Sequence, residues 1–249
     1  MNGINKDYIV KIWEQFLTDQ EIDLRVPQIN ILFEETESCW QAQIEEVTTD
    51  IATISIIQNF ISEINCKEYF DAILYHEFTH IIDSITLLLD KRDSKGKTFL
   101  EFPYNEFHSA QIQLLKMMDV FSNNHYISAR TKVYMPNGKV YIPVLISKEV
   151  DAFGYLCSHP DNFKTAENII HFLRNIAYNI GYFSIFRLHD IYDRFWLDFN
   201  RISFVKNEIE KLMDMLLNTL PSDQLCLDTN KIASMIIAKM LNYYEIERD

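Results

Sequence analysis

Glycine and proline are scarce in this sequence, with only five glycines and six prolines among 249 residues. They are spread along the chain and form no cluster, which excludes a flexible linker or a low-complexity tract. A chain of this length is long enough to bury one sizeable core, or two closely packed subdomains.

Basic residues are also few. The chain has 23 Lys and Arg against 36 Asp and Glu, a formal net charge of −13, and a pI near 5.0. Nucleic-acid phosphates would be repelled by such a surface, and no cluster of Lys and Arg is visible to offset this. We therefore expect no nucleic-acid partner.

Long apolar runs and paired cysteines are missing as well. No stretch of about 18 uncharged apolar residues occurs, so we expect no membrane span. No apolar run flanked by basic residues opens the chain, so no signal peptide is predicted. The four cysteines are far apart and form no CxxC pair, which predicts reduced thiols and a cytoplasmic protein.

The most informative feature present is the HExxH motif of residues 76–80. Residues four apart lie on the same face of a helix, so His76 and His80 can direct two imidazoles at one point. This is the geometry that zinc requires of two ligands, and Glu77 lies beside them where it can deprotonate a metal-bound water.

The residues around the motif predict one long helix over residues 65–90. Asn65 and Glu68 have the spacing of a capping box. An apolar face then follows with helical periodicity, at Leu74, Phe78, Ile81, Ile85 and Leu88. Two histidines and a glutamate in a buried helix require compensation. A metal ion provides it, and the alternative is two core histidines hydrogen-bonded to neighbours.

The remaining periodicities predict an α+β fold. An amphipathic helix opens the chain, and three alternating runs near residues 29–33, 40–45 and 52–56 predict strands of an antiparallel meander. After the metal helix we expect a helix from about Tyr104 to Phe121, and a β-hairpin around residues 136–138. A helix over 147–157 and a wholly helical remainder complete the prediction.

This arrangement resembles the zincin metallopeptidases, in which a small sheet lies over the HExxH helix. The resemblance covers roughly residues 29–118 and implies that an edge strand of the sheet can pair with an extended peptide substrate. The implied division is a zincin-like metal-binding half, residues 1–128, and a hairpin plus helical subdomain, residues 129–249, packed on the first.

The third metal ligand distinguishes zincin types. The pattern HExxHxxGxxH fails here, because Asp83 and Thr86 stand where it has Gly and His. Gluzincins take a Glu from a later helix, and Glu106 follows at a suitable distance within an Asn-Glu context. Glu149, which also opens a probable helix within an ExxA context, is the alternative ligand. The other reading of either residue is a solvated carboxylate at a helix start.

The stretch from Glu106 to Met117 is also similar to the ExxANxFAxxLL sequence of ImmA/IrrE-type peptidases. It departs from that pattern at Ile112, Gln113 and Lys116, which replace Phe, Ala and Leu. Such proteins are cytoplasmic and often encoded by phages or mobile elements, and some of them cleave or inactivate a repressor.

Other polar residues receive secondary roles. Asp83, one turn beyond His80, is a candidate to accept the proton on a ligand histidine's other nitrogen, as a second-shell residue. A surface or capping role is the alternative. Zincins often stabilise the oxyanion with a downstream His or Tyr; the candidates are Tyr104, Tyr134, Tyr141 and His159.

These features predict a zinc-dependent peptidase that carries one zinc ion per chain and acts on a peptide or protein substrate. Glu77 is the predicted catalytic base, and His76, His80 and Glu106 are the predicted ligands. The rival is a zinc-stabilised regulatory or interaction protein that cleaves nothing. Retention of Glu77 favours the enzyme, because a structural zinc site needs ligands but no base.

Overall fold

The structure, a computed structural model, describes residues 4–35, 41–87, 102–123, 127–158, 163–186 and 202–244. Over these residues the fold is α+β, as predicted: small sheets in the first part of the chain and helices over most of the rest. The helices are α1 (Lys6–Asp19), α2 (Gln58–Glu63), α3 (Lys67–Thr86), α4 (Phe102–Met117), α5 (Val120–Asn123), α6 (Ile142–Ser158), α7 (Ala166–Ile185), α8 (Lys206–Asn218) and α9 (Asp223–Tyr243). The strands are β1 (Gln28–Glu34), β2 (Ala42–Val47), β3 (Ile51–Ile57), β4 (Lys132–Met135) and β5 (Gly138–Tyr141).

The first three strands form a mixed sheet with the order β1-β3-β2. β1 runs parallel to β3 and β2 runs antiparallel to it, so the prediction of an antiparallel meander is wrong. The alternating pattern located the strands, but alternation is the same in both pairing modes and does not determine strand order. The predicted hairpin is present as the antiparallel pair β4 and β5.

The central strand, β3, makes this sheet part of the buried core. β3 is buried along almost its whole length, including the polar side chains of Thr53 and Ser55, as expected for a strand with partners on both sides. The Ser55 hydroxyl donates a 3.0 Å hydrogen bond to Glu34 on β1. β2 contacts α3, which lies against the sheet.

α1 packs on α3 through an aromatic cluster. Asn5 caps α1 by accepting the Tyr8 N–H at 2.9 Å, which fixes where the amphipathic pattern begins. Trp13 and Phe16 on its buried face meet Phe78 of α3, with ring centroids 5.0 and 5.5 Å away. The face of α3 that carries Phe78 is therefore buried in the hydrophobic core.

The helix that carries the HExxH motif begins later than predicted. Its N-cap is Cys66, whose side chain makes no capping hydrogen bond, so the proposed capping box of Asn65 and Glu68 is wrong. Asn65 instead donates its backbone N–H to Pro136 of the β4–β5 turn at 3.2 Å. A tertiary contact thus takes the place of the local one. The predicted end at Asp90 lies outside the described residues.

The chain divides into two compact units, one formed by Met1–Thr98 and Ile112–Leu145 and the other by Phe99–Gln111 and Ile146–Asp249. This division is discontinuous, whereas the sequence prediction used a single boundary after residue 128. The second unit is built on α7, α8 and α9, which pack on one another through their apolar faces.

Two further expectations concern the cysteines and the membrane. Cys66 and Cys226 are buried free thiols, and burial raises the pKa of the Cys66 thiol. Cys39 lies outside the described residues. In the part of the chain that the structure describes, no helix is both long and apolar enough to cross a bilayer.

Candidate metal centre

The two motif histidines converge as their spacing predicts. On α3, His76 and His80 lie one turn apart, with ring centroids separated by 4.7 Å. Their Nε2 atoms are 3.0 Å apart. Two imidazole nitrogens bound to one tetrahedral zinc ion at their usual bond lengths would be about 3.3 Å apart. The 3.0 Å separation is also a hydrogen-bonding distance between the two rings, so the spacing is compatible both with two ligands of one ion and with a hydrogen-bonded histidine pair.

Glu106 on α4 supplies a third donor. One ligand atom each from His76, His80 and Glu106 lie within 4.8 Å of one another, and all three side chains are partly exposed. Among the described residues this is the only group of three or more such side chains that could hold a metal ion. Two histidines and one glutamate form a known ligand set of catalytic zinc. The donor chemistry therefore fits a divalent ion of this kind.

Glu106 also has a cationic neighbour that sequence reasoning did not single out. The Arg174 Nε on α7 lies 3.8 Å from Glu106 Oε1. The Glu106 side chain is only 18% exposed, whereas the Arg174 side chain is 52% exposed. The only hint in the sequence was that Arg174 stands among apolar residues of a helix.

The approach of α7 to α4 is fixed by a glycine. A Cβ at Gly181 would meet the Phe107 carbonyl oxygen at 2.3 Å and the Ala110 Cβ at 2.9 Å. The Gln111 side-chain amide donates a 2.7 Å hydrogen bond to the Ser184 hydroxyl nearby. Because Arg174, Gly181 and Ser184 recur at helical spacing, one face of α7 lies along the first turns of α4.

Glu77 and Asp83 are both buried on α3, at 8% and 4% exposure. Glu77 directly follows His76, and Asp83 lies three residues after His80, about one helical turn further along α3. Asp83 is not a member of the three-residue group. Glu77 as the base, and Asp83 as acceptor of a ligand histidine's other N–H, stay predictions.

Glu149, the alternative third ligand, is half-buried and lies in the middle of α6, which begins at Ile142, so the prediction that it opens a helix is wrong. Burial raises the pKa of its carboxyl, because the charged form loses hydration. It is not a member of the group formed by the two histidines and Glu106. Which glutamate binds metal stays a prediction.

The candidate oxyanion stabilisers differ in environment. Tyr104 is buried at 3% exposure, with its ring centroid 5.7 Å from that of His108, whereas Tyr141 is 49% exposed. The Lys139 ammonium lies over the Tyr134 ring, 3.9 Å from its centroid. His159 lies outside the described residues. None of these contacts assigns the role.

α3 carries a second buried polar cluster that sequence reasoning missed. The Tyr75 hydroxyl donates a 2.5 Å hydrogen bond to Asp19 at the end of α1. The Lys116 ammonium on α4 donates to the same hydroxyl at 3.1 Å and lies 3.5 Å from the Asp19 carboxylate. Burial, followed by the Asp19 hydrogen bond and charge, raises the pKa of Tyr75. Lys116 in a helix of otherwise core residues was the available signal.

A neighbouring pair extends this cluster. The Tyr8 hydroxyl donates a short hydrogen bond to Asp71 on α3. Burial raises the pKa of Asp71, although the Tyr8 hydrogen bond and the charge of Lys116 act in the opposite direction. The carboxylates on this side of α3 are thus compensated by phenols and an ammonium group.

Comparisons of the chain with protein-family models, with curated proteins and with solved structures find no match.

Proposed function

We propose that this protein is a zinc-dependent peptidase of the gluzincin type, with His76, His80 and Glu106 as ligands. The observation that carries the proposal is the convergence of these three donors on α3 and α4 within 4.8 Å. Three protein ligands leave one position of a tetrahedral ion for water or substrate, which is what a catalytic zinc site requires.

Bound zinc would acidify a water molecule and polarise the carbonyl of the scissile bond. Glu77 accepts the proton of the attacking water and later returns it to the leaving amine. Glu77 is 8% exposed and directly follows His76 on α3, next to the first proposed ligand. Asp83 orients a ligand histidine by accepting its other N–H.

The sheet suggests how a peptide substrate binds. β1 and β2 are the edges of the three-stranded sheet, and β2 contacts α3. An extended peptide added to the edge of β2 that has no partner strand among the described residues would exchange backbone hydrogen bonds with it. A β-bulge interrupts the register of β2 between Ile44 and Glu46, and bulges often occur beside active sites.

Metal content is the first test. The protein purified without chelators should contain close to one zinc per chain by elemental analysis, and His76→Ala or His80→Ala should lose it. Each substitution leaves an ion with two protein ligands. Stoichiometric zinc in both variants would contradict the proposal.

The third ligand is tested with a matched pair of conservative substitutions. Glu106→Gln should weaken zinc binding at least about tenfold in a competition titration, because an amide is a poor zinc ligand. Glu149→Gln should change it little. The reverse result would transfer the site to Glu149.

Catalysis is tested with Glu77→Gln, which retains the ligands and removes the base. The variant should bind zinc like the wild type and lose peptide hydrolysis by at least about a hundredfold. Proteomic comparison of cells expressing each form should reveal cleaved substrates only with the wild type. Equal behaviour of two zinc-loaded forms in every cleavage assay would favour a non-catalytic regulator.

A further inference from the structure

Arg174 lies beside the candidate metal centre. Only part of its guanidinium group contacts other protein groups. Its single ion-pair partner in the described part of the chain is Glu106, at 3.8 Å through Nε. Half of the side chain remains exposed. An Nε contact uses one edge of the planar group, so within the described part of the chain the Nη donors remain available to a molecule in solution.

The helix that carries this cation is fixed against α4 by packing. Arg174 lies two helical turns before Gly181, on the face of α7 that touches α4. The close approach at Gly181 and the hydrogen bond from Gln111 to Ser184 leave α7 little freedom to slide. The backbone of α7 at Arg174 is therefore held close to α4, within reach of Glu106.

Distance links this cation to a ligand of the metal. A metal ion bound to Glu106 through Oε1 at the usual length of about 2 Å would lie no more than about 6 Å from the Arg174 Nε. This separation suits a small molecule that places one group on the metal and a second group on the arginine. A guanidinium recognises carboxylates in a bidentate manner, which an ammonium group cannot reproduce.

The charge of the chain makes this position unusual. The formal net charge of −13 disfavours the approach of anions at long range. A substrate carboxylate would be accepted only where a local cation outweighs this field. Arg174, with the charge of the metal nearby, provides such a place.

We propose that Arg174 binds a carboxylate of the substrate, so that the preferred substrate carries an acidic side chain or a free C-terminus next to the group bound at the metal. This assignment rests on the proposed zinc site. In the role proposed, Arg174 determines specificity and takes no part in proton transfer. Glu106 positions it from one edge while the other edge meets the substrate.

The test uses binding of two probes to the zinc-loaded full chain, measured by calorimetry. One probe is a neutral alkyl hydroxamate and the other is a hydroxamate of similar size that ends in a carboxylate. The wild type should bind the carboxylated probe about tenfold more tightly than the neutral one. The preference should shrink when salt is raised from about 0.05 to 0.5 M, because the contact is partly exposed.

Arg174→Gln should abolish this preference without changing affinity for the neutral probe, which reports that the metal and its ligands remain in place. Arg174→Lys should retain part of it. Arg25→Gln is the matched control, because Arg25 is also an exposed arginine in an ion pair, with Asp50 at 2.7 Å. It should leave both affinities unchanged.

The failures of the two proposals are distinguishable. If the loaded wild type binds the neutral probe but shows no preference for the carboxylate, or if Arg174→Gln keeps the preference, only the substrate assignment is overturned. If the chain holds no zinc or binds neither hydroxamate, the metal site and the inference that rests on it are both wrong.

Discussion

α4 carries a charged side chain near each end, and the two side chains lie in different environments. Lys116, near the C-terminal end, is 9% exposed and meets both Asp19 and Tyr75 within 3.5 Å. Glu106, near the N-terminal end, lies with two imidazoles inside a group 4.8 Å across, beside a half-exposed arginine. One charge is enclosed and compensated, while the other is placed among potential metal ligands.

The difference separates a structural polar cluster from a chemical one. A buried charge persists when its partners satisfy it, and removing one partner then costs stability. Side chains that converge on a single point cost folding free energy, and binding of a metal ion offsets that cost. On this view, changes at Lys116 should lower stability and spare zinc binding, whereas a change of the Glu106 side chain itself should weaken zinc binding with a smaller effect on stability.

The largest expected effect is at Lys116. Lys116→Met keeps most of the side-chain volume but leaves the Asp19 carboxylate with Tyr75 alone, so the free energy of unfolding should fall by about 3 kcal/mol in urea. Zinc affinity should stay within about twofold in the same preparation. Lys231→Met, at an exposed lysine of α9, should cost less than about 0.5 kcal/mol.

A second substitution sharpens this test. Adding Asp19→Asn to Lys116→Met removes the unpaired charge while an amide oxygen still accepts from Tyr75, and part of the loss should be recovered. If Lys116→Met costs no more than Lys231→Met, or if the double variant is less stable than the single one, the description of an enclosed, compensated cluster is wrong.

An intermediate effect is expected at Gly181, which sets the spacing of α7 and α4. Gly181→Ala places a methyl group 2.3 Å from the Phe107 carbonyl, and a backbone atom can move away only if a helix shifts. Alanine has a higher helix propensity than glycine, which offsets part of this cost. The net free energy of unfolding should fall by about 1–2 kcal/mol. Zinc affinity should also fall, because Glu106 is the residue before Phe107.

Gly154 on α6 provides the matched control, because a Cβ there would meet nothing within 4 Å. Gly154→Ala should stabilise the protein by about 0.5–1 kcal/mol, as expected for a helical glycine. Melting temperatures measured for the two variants should therefore move in opposite directions. A shift of the same sign in both would contradict the close packing at Gly181.

The smallest effect concerns pH and Asp71. The pKa of this carboxyl is raised in the folded state, so its contribution to stability is greatest below the unfolded value of about 3.9 and is lost as pH rises through the folded value. In the Asp71→Asn variant the amide oxygen can still accept the Tyr8 hydrogen bond. Its free energy of unfolding should lie within about 1 kcal/mol of that of the wild type at low pH.

Urea unfolding at several pH values measures this difference. As pH rises from about 4 to 7, the stability of Asp71→Asn should increase relative to wild type, because only the wild type must ionise a buried carboxyl. A difference that is constant over this range would mean that Asp71 does not contribute in this way.

Several features of the protein were determined by local sequence. The four-residue spacing of His76 and His80 places them on one face of any helix, and the apolar face around them requires that helix to be buried. The alternating runs located β1, β2 and β3, and the Pro-Asn-Gly turn located the hairpin. Such patterns depend only on the periodicity of each element, so they can be read before the fold is known.

Tertiary structure decided what periodicity leaves open. Strand order and the parallel pairing of β1 with β3 follow from how the elements pack, because alternation is the same in both pairing modes. The approach of Glu106 to the histidines, the cation of Arg174 beside it and the enclosure of Lys116 by Asp19 and Tyr75 each join residues far apart in sequence. The chain's local propensities cannot specify these contacts, because they depend on which faces of separate helices meet in the folded core.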